Sequence, residues 1–253
     1  MAALNLVILG PAGSGKSTLT ARFGEWLEGV AGLRVGYVNL DPGAEYLPYE
    51  PDFDVRSLVT VRDVMRRERL GPNGAIMRCM DVMVEMAGEI VKAVSSLECD
   101  FRLIDTPGQM EPSTFRRAGP ELVSRLTKVG DVVALFLVDP ELASTAADLL
   151  VVELLGVVVQ LRLLAPTLIV LNKADRLGAS GVDELLSDPG RMRARLGEEA
   201  GGVISDLASA LSETIAAYSQ SCRLVRVSAL TGEGFESLYD LIHEVFCACG
   251  DHL

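Results

Sequence analysis

Positive charge is what this sequence is short of. Its 23 lysines and arginines stand against 35 aspartates and glutamates, a net charge of −12, and such a surface repels polyanions unless a local basic patch intervenes. The expectation is therefore no nucleic acid and no membrane among the partners. An uninterrupted apolar run is also missing: the most apolar region, Leu149 to Leu171, is broken by Glu153, Gln160, Arg162 and Pro166, well short of the roughly 18 apolar residues of a membrane span. The early apolar run Leu4 to Leu9 leads straight into a glycine-rich loop rather than a cleavage site and does not resemble a signal peptide, so a cytoplasmic protein is expected. The five cysteines (Cys79, Cys99, Cys222, Cys247 and Cys249) are odd in number and scattered, so no disulfide framework is expected. Histidine is scarcer still. His243 and His252 stand beside Cys247 and Cys249 at the tail, but the spacing matches no common zinc module, and a final helix that buries Cys247 and frays beyond it is the simpler reading.

What is present is a set of phosphate- and base-binding patterns in a fixed order. Gly10-Pro11-Ala12-Gly13-Ser14-Gly15-Lys16-Ser17-Thr18 follows an apolar run and precedes helical spacing over Leu19 to Leu27, so it reads as strand, phosphate loop, helix. Glycines Gly10, Gly13 and Gly15 let successive backbone N–H groups, through Ser14 to Thr18, turn in around phosphate oxygens. Lys16 reaches the β/γ oxygens, and the Ser17 hydroxyl suits Mg²⁺. A second short β-rich run, Arg34 to Leu40, ends in Asp41-Pro42-Gly43. At the carboxyl edge of a parallel sheet, Asp41 would face the nucleotide, whereas on its own it is only an Asp-Pro turn. Ala44 to Thr60, with Pro48 and Pro51, reads as a long ordered loop, and loops this long are usually functional. A short helix over Val61 to Leu70 and a longer one over Ala75 to Leu97 flank Gly71-Pro72-Asn73-Gly74, which on composition is a turn between helices.

Phe101 to Ile104 is the next strand, ending in Asp105-Thr106-Pro107-Gly108-Gln109. This D-x-x-G pattern sets a carboxylate for Mg²⁺, directly or through water, opposite the phosphate loop. It also supplies the Gly108 N–H for the γ-phosphate and puts Gln109 where Ras-type enzymes orient the attacking water. Val132 to Val138 is apolar throughout, as a strand covered on both faces should be; a helix from about 143 to 164 and a strand over Thr167 to Leu171 follow. Asn172-Lys173-Ala174-Asp175 closes that strand. The Asp175 carboxylate can accept from guanine N1–H and the 2-amino group, a donor pair that adenine lacks, while Asn172 ties the loop to the phosphate loop and the Lys173 stem packs on the base. About 176 to 222 is a charged, partly helical excursion with no catalytic signature. Leu224 to Val227 is the last strand, with Ser228-Ala229-Leu230 placed to cover the guanine face, and a final helix runs to about 249. The whole is expected to be one α/β domain: a three-layer P-loop NTPase with a mainly parallel sheet flanked by helices, plus helical insertions at about 61–97 and 176–222.

This order of motifs resembles P-loop GTPases. Together, Asn39-Leu40-Asp41-Pro42, the Pro48 to Arg56 segment, Gly71-Pro72-Asn73 and Asp105-Thr106-Pro107-Gly108-Gln109-Met110-Glu111 resemble the GPN-loop GTPases, a dimeric branch of the SIMIBI class. The resemblance implies GTP and GDP as ligands with Mg²⁺, and a homodimer joined through the GPN-loop region. It also implies a protein client whose assembly or escort uses the hydrolysis cycle, RNA polymerase being one in eukaryotic relatives. It replaces the simple-turn reading of Gly71 to Asn73, because in that family the loop enters the twin subunit's site and its asparagine reaches phosphate. Two departures stand out. Gly43 replaces an alanine common in the family, which loosens the turn, and Pro11 and Ala12 occupy the place where many SIMIBI ATPases carry a second lysine. With no arginine finger in view, Asn73 is left to assist in trans while Asp41, Gln109 and Glu111 shape the water side. A small-molecule kinase and a scaffold that holds GTP without turning it over remain as alternatives.

Overall fold

The computed structural model describes residues 3–109, 114, 116–176, 185, 189–199, 201–217 and 223–250. Seven strands form one sheet: β1 (Leu4–Leu9), β2 (Val35–Asn39), β3 (Phe53–Asp54), β4 (Phe101–Asp105), β5 (Val132–Val138), β6 (Thr167–Leu171) and β7 (Leu224–Arg226). Their order is β3-β2-β4-β1-β5-β6-β7, and every pairing is parallel. The central strands are buried along their whole length, which explains their continuous rather than alternating hydrophobicity.

The two faces are covered by different helices. Leu4, Leu6 and Ile8 of β1 pack with α1 (Lys16–Gly29) and α9 (Phe235–Gly250), through Leu19, Phe23, Leu27, Phe235 and Leu238. Val7 and Leu9, pointing the other way as alternate strand residues must, join a larger cluster. It draws on α2 (Val61–Glu68), α3 (Pro72–Glu85), α4 (Ala87–Ser95), α5 (Ala118–Leu126), α6 (Ala146–Leu163) and α7 (Pro189–Glu199). Helix α8 (Val203–Ala217) lies on the same side and contacts α6 and α7. This is the expected three-layer α/β sandwich. Among the described residues no helix is long and apolar enough to cross a membrane.

Three local expectations need correction. The stretch read as a long ordered loop, 44–60, contains β3 and a single 3₁₀ turn, Val55–Ser57, where Asn39 Nδ2 donates to Asp54 Oδ1 at 2.9 Å and pins the two-residue strand to β2. The helix expected over 75–97 is two helices, parted at Met86 (φ −94°, ψ 8°). Nor is Gly71-Pro72-Asn73-Gly74 a free turn: Gly71 caps α3 and Pro72 is its first residue, a position where the missing N–H has no partner to lose. The actual reversal is two residues earlier, at Arg69, in the left-handed region at φ 55°.

Candidate active site

Parallel pairing brings the carboxyl ends of β1, β2, β4, β5, β6 and β7 to one edge, and the loops that leave them carry the polar residues singled out above. The phosphate loop bends through Gly10, Gly13 and Gly15, all at positive φ. At Gly15 a side chain is doubly excluded: φ is +91°, and a Cβ would come within 2.4 Å of Asn172 Nδ2. That close approach is functional in form, because Asn172 Nδ2 donates to the Ser14 carbonyl at 2.8 Å while its Oδ1 accepts from the Ala229 N–H at 3.0 Å. One buried amide thus ties the phosphate loop to the loops after β6 and β7, as its place in the sequence led one to expect.

Lys16 opens α1, with its ammonium folded over the loop onto the carbonyls of Gly10 and Pro11, both at 3.0 Å. Burial lowers its pKa, and the negative charges of Asp105 and Asp41 work against that drop. Asp105, at the end of β4, is 1 % exposed. Burial pushes its carboxyl up to about 6, opposed by the Ser17 and Tyr49 hydroxyls and the Lys16 ammonium and reinforced by Asp41. Its Oδ1 is buried without a hydrogen-bond partner, as is Ser14 Oγ. A buried carboxylate with one unpaired oxygen and the Ser17 hydroxyl beside it is the donor chemistry a hard cation such as Mg²⁺ takes. The Asp105 and Ser17 pair therefore fits that ion. Gly108 lies against the phosphate loop: a Cβ there would sit 3.2 Å from Ala12 Cα and 3.4 Å from Lys16 Nζ. Gln109 follows it and is exposed, and so is Thr18.

Asp41 leaves the end of β2 half-buried, with its N–H held by Asn39 Oδ1 and its own Oδ1 accepting from the Gly43 N–H at 2.8 Å. Burial raises its pKa against the pull of that amide, Lys16 and Arg56. The turn containing Gly43 is thus closed by a side-chain bond to Asp41. Asn73 is exposed at the start of α3 and makes no hydrogen bond to the phosphate loop among the described residues. Glu111 falls outside the described residues, and the same holds for His252 and for the side chains of Cys247 and Cys249. Among the described residues no group of three or more His, Cys, Asp or Glu is placed to hold a metal.

On the base side, Asp175 is exposed within the single turn Ala174–Arg176, and buried Ser228 donates to its Oδ1 at 2.5 Å. Thr231 N–H in turn donates to Ser228 Oγ, so the carboxylate is set by the loop after β7. Lys173 adopts φ 64° and its ammonium meets Asp139 Oδ2 at 2.5 Å, which ties the loop after β6 to the end of β5. Burial would raise the Asp139 pKa, but the Lys173 ammonium and the Glu141 N–H outweigh it and hold the carboxyl below its usual range.

Two site residues escaped the sequence reading. Asp139 had a usable signal, since it ends an apolar strand just as Asp105 does. Tyr49 had none beyond its place between two prolines: its phenol donates to Asp105 Oδ2 at 3.0 Å from 56 positions away, and burial together with Asp105 pushes its pKa well above the usual phenol range.

Residues 8–248 match a family model described as a conserved hypothetical ATP-binding protein. The chain is 38% identical over 254 residues to the GPN-loop GTPase PAB0955 of Pyrococcus abyssi, an alignment covering 97% of this chain and 98% of that one. The solved structure of that GTPase in its apo form superposes with a TM-score of 0.88, covering 98% of this chain and all of its own. GPN-loop GTPase 1 of Dictyostelium discoideum is 27% identical over 242 residues; 94% of this chain aligns to 60% of that longer protein.

Proposed function

This chain belongs to the GPN-loop GTPases, and on that premise we propose that it is a cytoplasmic, Mg²⁺-dependent enzyme that hydrolyses GTP to GDP and phosphate. In this reading it works as a homodimer, and the nucleotide it holds sets how the two subunits sit and so drives the assembly of a protein client. The description of the family model speaks of ATP. The observation that carries the guanine reading is the bonded path from Ser14 through Asn172 to Ala229, which holds the Ser228–Asp175 pair in register with the phosphate loop.

The roles follow from placement. The loop amides of Gly13 to Thr18 would bind the α- and β-phosphates, and Lys16, already turned inward, would exchange its carbonyl contacts for the β/γ oxygens. Ser17, with Asp105 directly or through water, would hold Mg²⁺, which supplies charge neutralisation on the β- and γ-phosphates. Gly108 N–H would meet the γ-phosphate. Gln109, with Asp41 and Glu111, would orient water for in-line attack, so that an O–P bond forms as the bond to the GDP oxygen breaks and the water's proton passes to phosphate. The partner supplies Asn73.

Because a water-orienting group acts mainly in the transition state, Gln109→Ala is expected to leave GTP affinity nearly intact while single-turnover hydrolysis slows about 100-fold. Fluorescent-nucleotide binding measured beside single-turnover phosphate release tests this. Parallel losses in affinity and rate would mean that Gln109 binds nucleotide instead.

A further inference from the structure

Tyr49 lies in Pro48-Tyr49-Glu50-Pro51, a few residues after Asp41. Pro48 fixes its own φ, and Pro51 drives Glu50 toward extended backbone, so the chain on both sides of Tyr49 is already restricted before any tertiary contact. The ring stacks on Tyr37 of β2, centroids 5.7 Å apart with planes 26° from parallel. Tyr37 is itself anchored: its hydroxyl donates to Glu28 Oε2 on α1 at 3.1 Å. Its N–H donates to Asp52 Oδ2, and its carbonyl accepts from the Asp52 N–H, both at 2.8 Å. Further along, the Arg56 guanidinium grips Asp54 and donates to the Ala44 carbonyl at 3.0 Å, closing the base of the segment. From this clipped segment the Tyr49 hydroxyl reaches inward to the β4 edge, where it ends on Asp105 Oδ2.

We propose that Tyr49 is a positioning residue for the metal site, its phenol holding one oxygen of Asp105 so that the other, Oδ1, is kept for the cation or its bound water. This rests on the GTP and Mg²⁺ reading above. A carboxylate with one oxygen bonded to a fixed donor loses rotational freedom about its last bond, and Oδ1 is left buried with no hydrogen-bond partner among the described residues. Outer-sphere partners of this kind typically change metal affinity by 10- to 100-fold.

Tyr49→Phe keeps the ring and its stack and deletes only the hydroxyl. The readout is the release rate of a fluorescent GDP analogue titrated with Mg²⁺, together with its release in chelator and the thermal midpoint of the nucleotide-free protein. The expected result is a Mg²⁺ midpoint for slowed release about tenfold higher in Tyr49→Phe, with release in chelator and the thermal midpoint unchanged; a merely structural tyrosine would move those two instead. Superimposable Mg²⁺ titrations, or a change in release that is equal with and without Mg²⁺, would overturn the proposal. A wild-type protein that binds GDP but ignores Mg²⁺ overturns this inference while leaving guanine binding in place. One that binds no GDP overturns the functional reading and this inference together.

Discussion

Asp175→Asn is expected to weaken GTP binding by about 2–4 kcal/mol, roughly 30- to 900-fold, because the amide leaves the two base donors without a matched pair of acceptors. The carboxylate is exposed at the mouth of the site and positioned by Ser228, itself fully buried, through a 2.5 Å bond. Most of the loss should therefore come from the base contact and little from refolding of the loop. An asparagine presents one donor and one acceptor, the complement of xanthine, so xanthine nucleotides should lose less affinity or gain some. Competition titrations of GTP, ATP and XTP against a fluorescent GDP analogue give both numbers in one experiment. An unchanged GTP affinity in the variant would mean that the base lies elsewhere.

Asn73→Ala is expected to slow GTP turnover by about 10²–10³-fold, about 3–4 kcal/mol of barrier, the scale of losing one preorganised donor to the reacting phosphate rather than an arginine. The structure adds a physical reason why it should act in trans: Asn73 stands in the exposed first turn of α3 behind Gly71 and Pro72, with no hydrogen bond to its own phosphate loop among the described residues. Pro72 stiffens that turn, so the side chain can be presented to a second copy at small ordering cost. Mixing Asn73→Ala with Lys16→Ala protein, each nearly inactive alone, should restore activity. In a mixed dimer the subunit with an intact Lys16 receives Asn73 from its partner, while the other site carries both defects. With random pairing in a two-fold dimer, half the dimers are mixed and each has one working site, so recovery should approach about a quarter of wild-type activity. Native mass spectrometry would establish that mixed dimers are present. No recovery in such samples would return Asn73 to a role within its own chain.

Much of the site was legible because these strands of the sheet centre are buried, mostly apolar runs that stop abruptly at a glycine or a polar residue: Leu9 before Gly10, Ile104 before Asp105, Leu171 before Asn172. Those stops mark the carboxyl edge, and the glycines beside them have few other uses. Where the sequence was silent, the deciding contacts are remote or locally ambiguous. Helix α5 was not foreseen, since Gly119-Pro120 reads as a break; Pro120 lies in the first turn, where a proline is tolerated. The division between α3 and α4 at Met86 leaves the apolar periodicity almost undisturbed, so no pattern reveals it. β3 pairs with β2 over only two residues and is flanked by side-chain bonds from Asn39 and between Asp52 and Tyr37. Tyr49 meets Asp105 only after the whole of β4 has been placed beside β2. Asn73 came from resemblance rather than from composition, and its place in the first turn of α3 rather than in a turn between helices was learned from the structure.

A GTP hydrolase is told apart from an ATP-binding protein or a silent nucleotide holder by the unmodified protein with Mg²⁺. Single-turnover phosphate release from GTP and from ATP should be followed side by side, with the affinity of each nucleotide measured in the same buffer. The expected result is phosphate release from GTP and a GTP affinity at least about 30-fold above that for ATP, the low end of what a lost pair of base hydrogen bonds removes. Equal affinity for the two nucleotides, or tight GTP binding with no phosphate released, would contradict it.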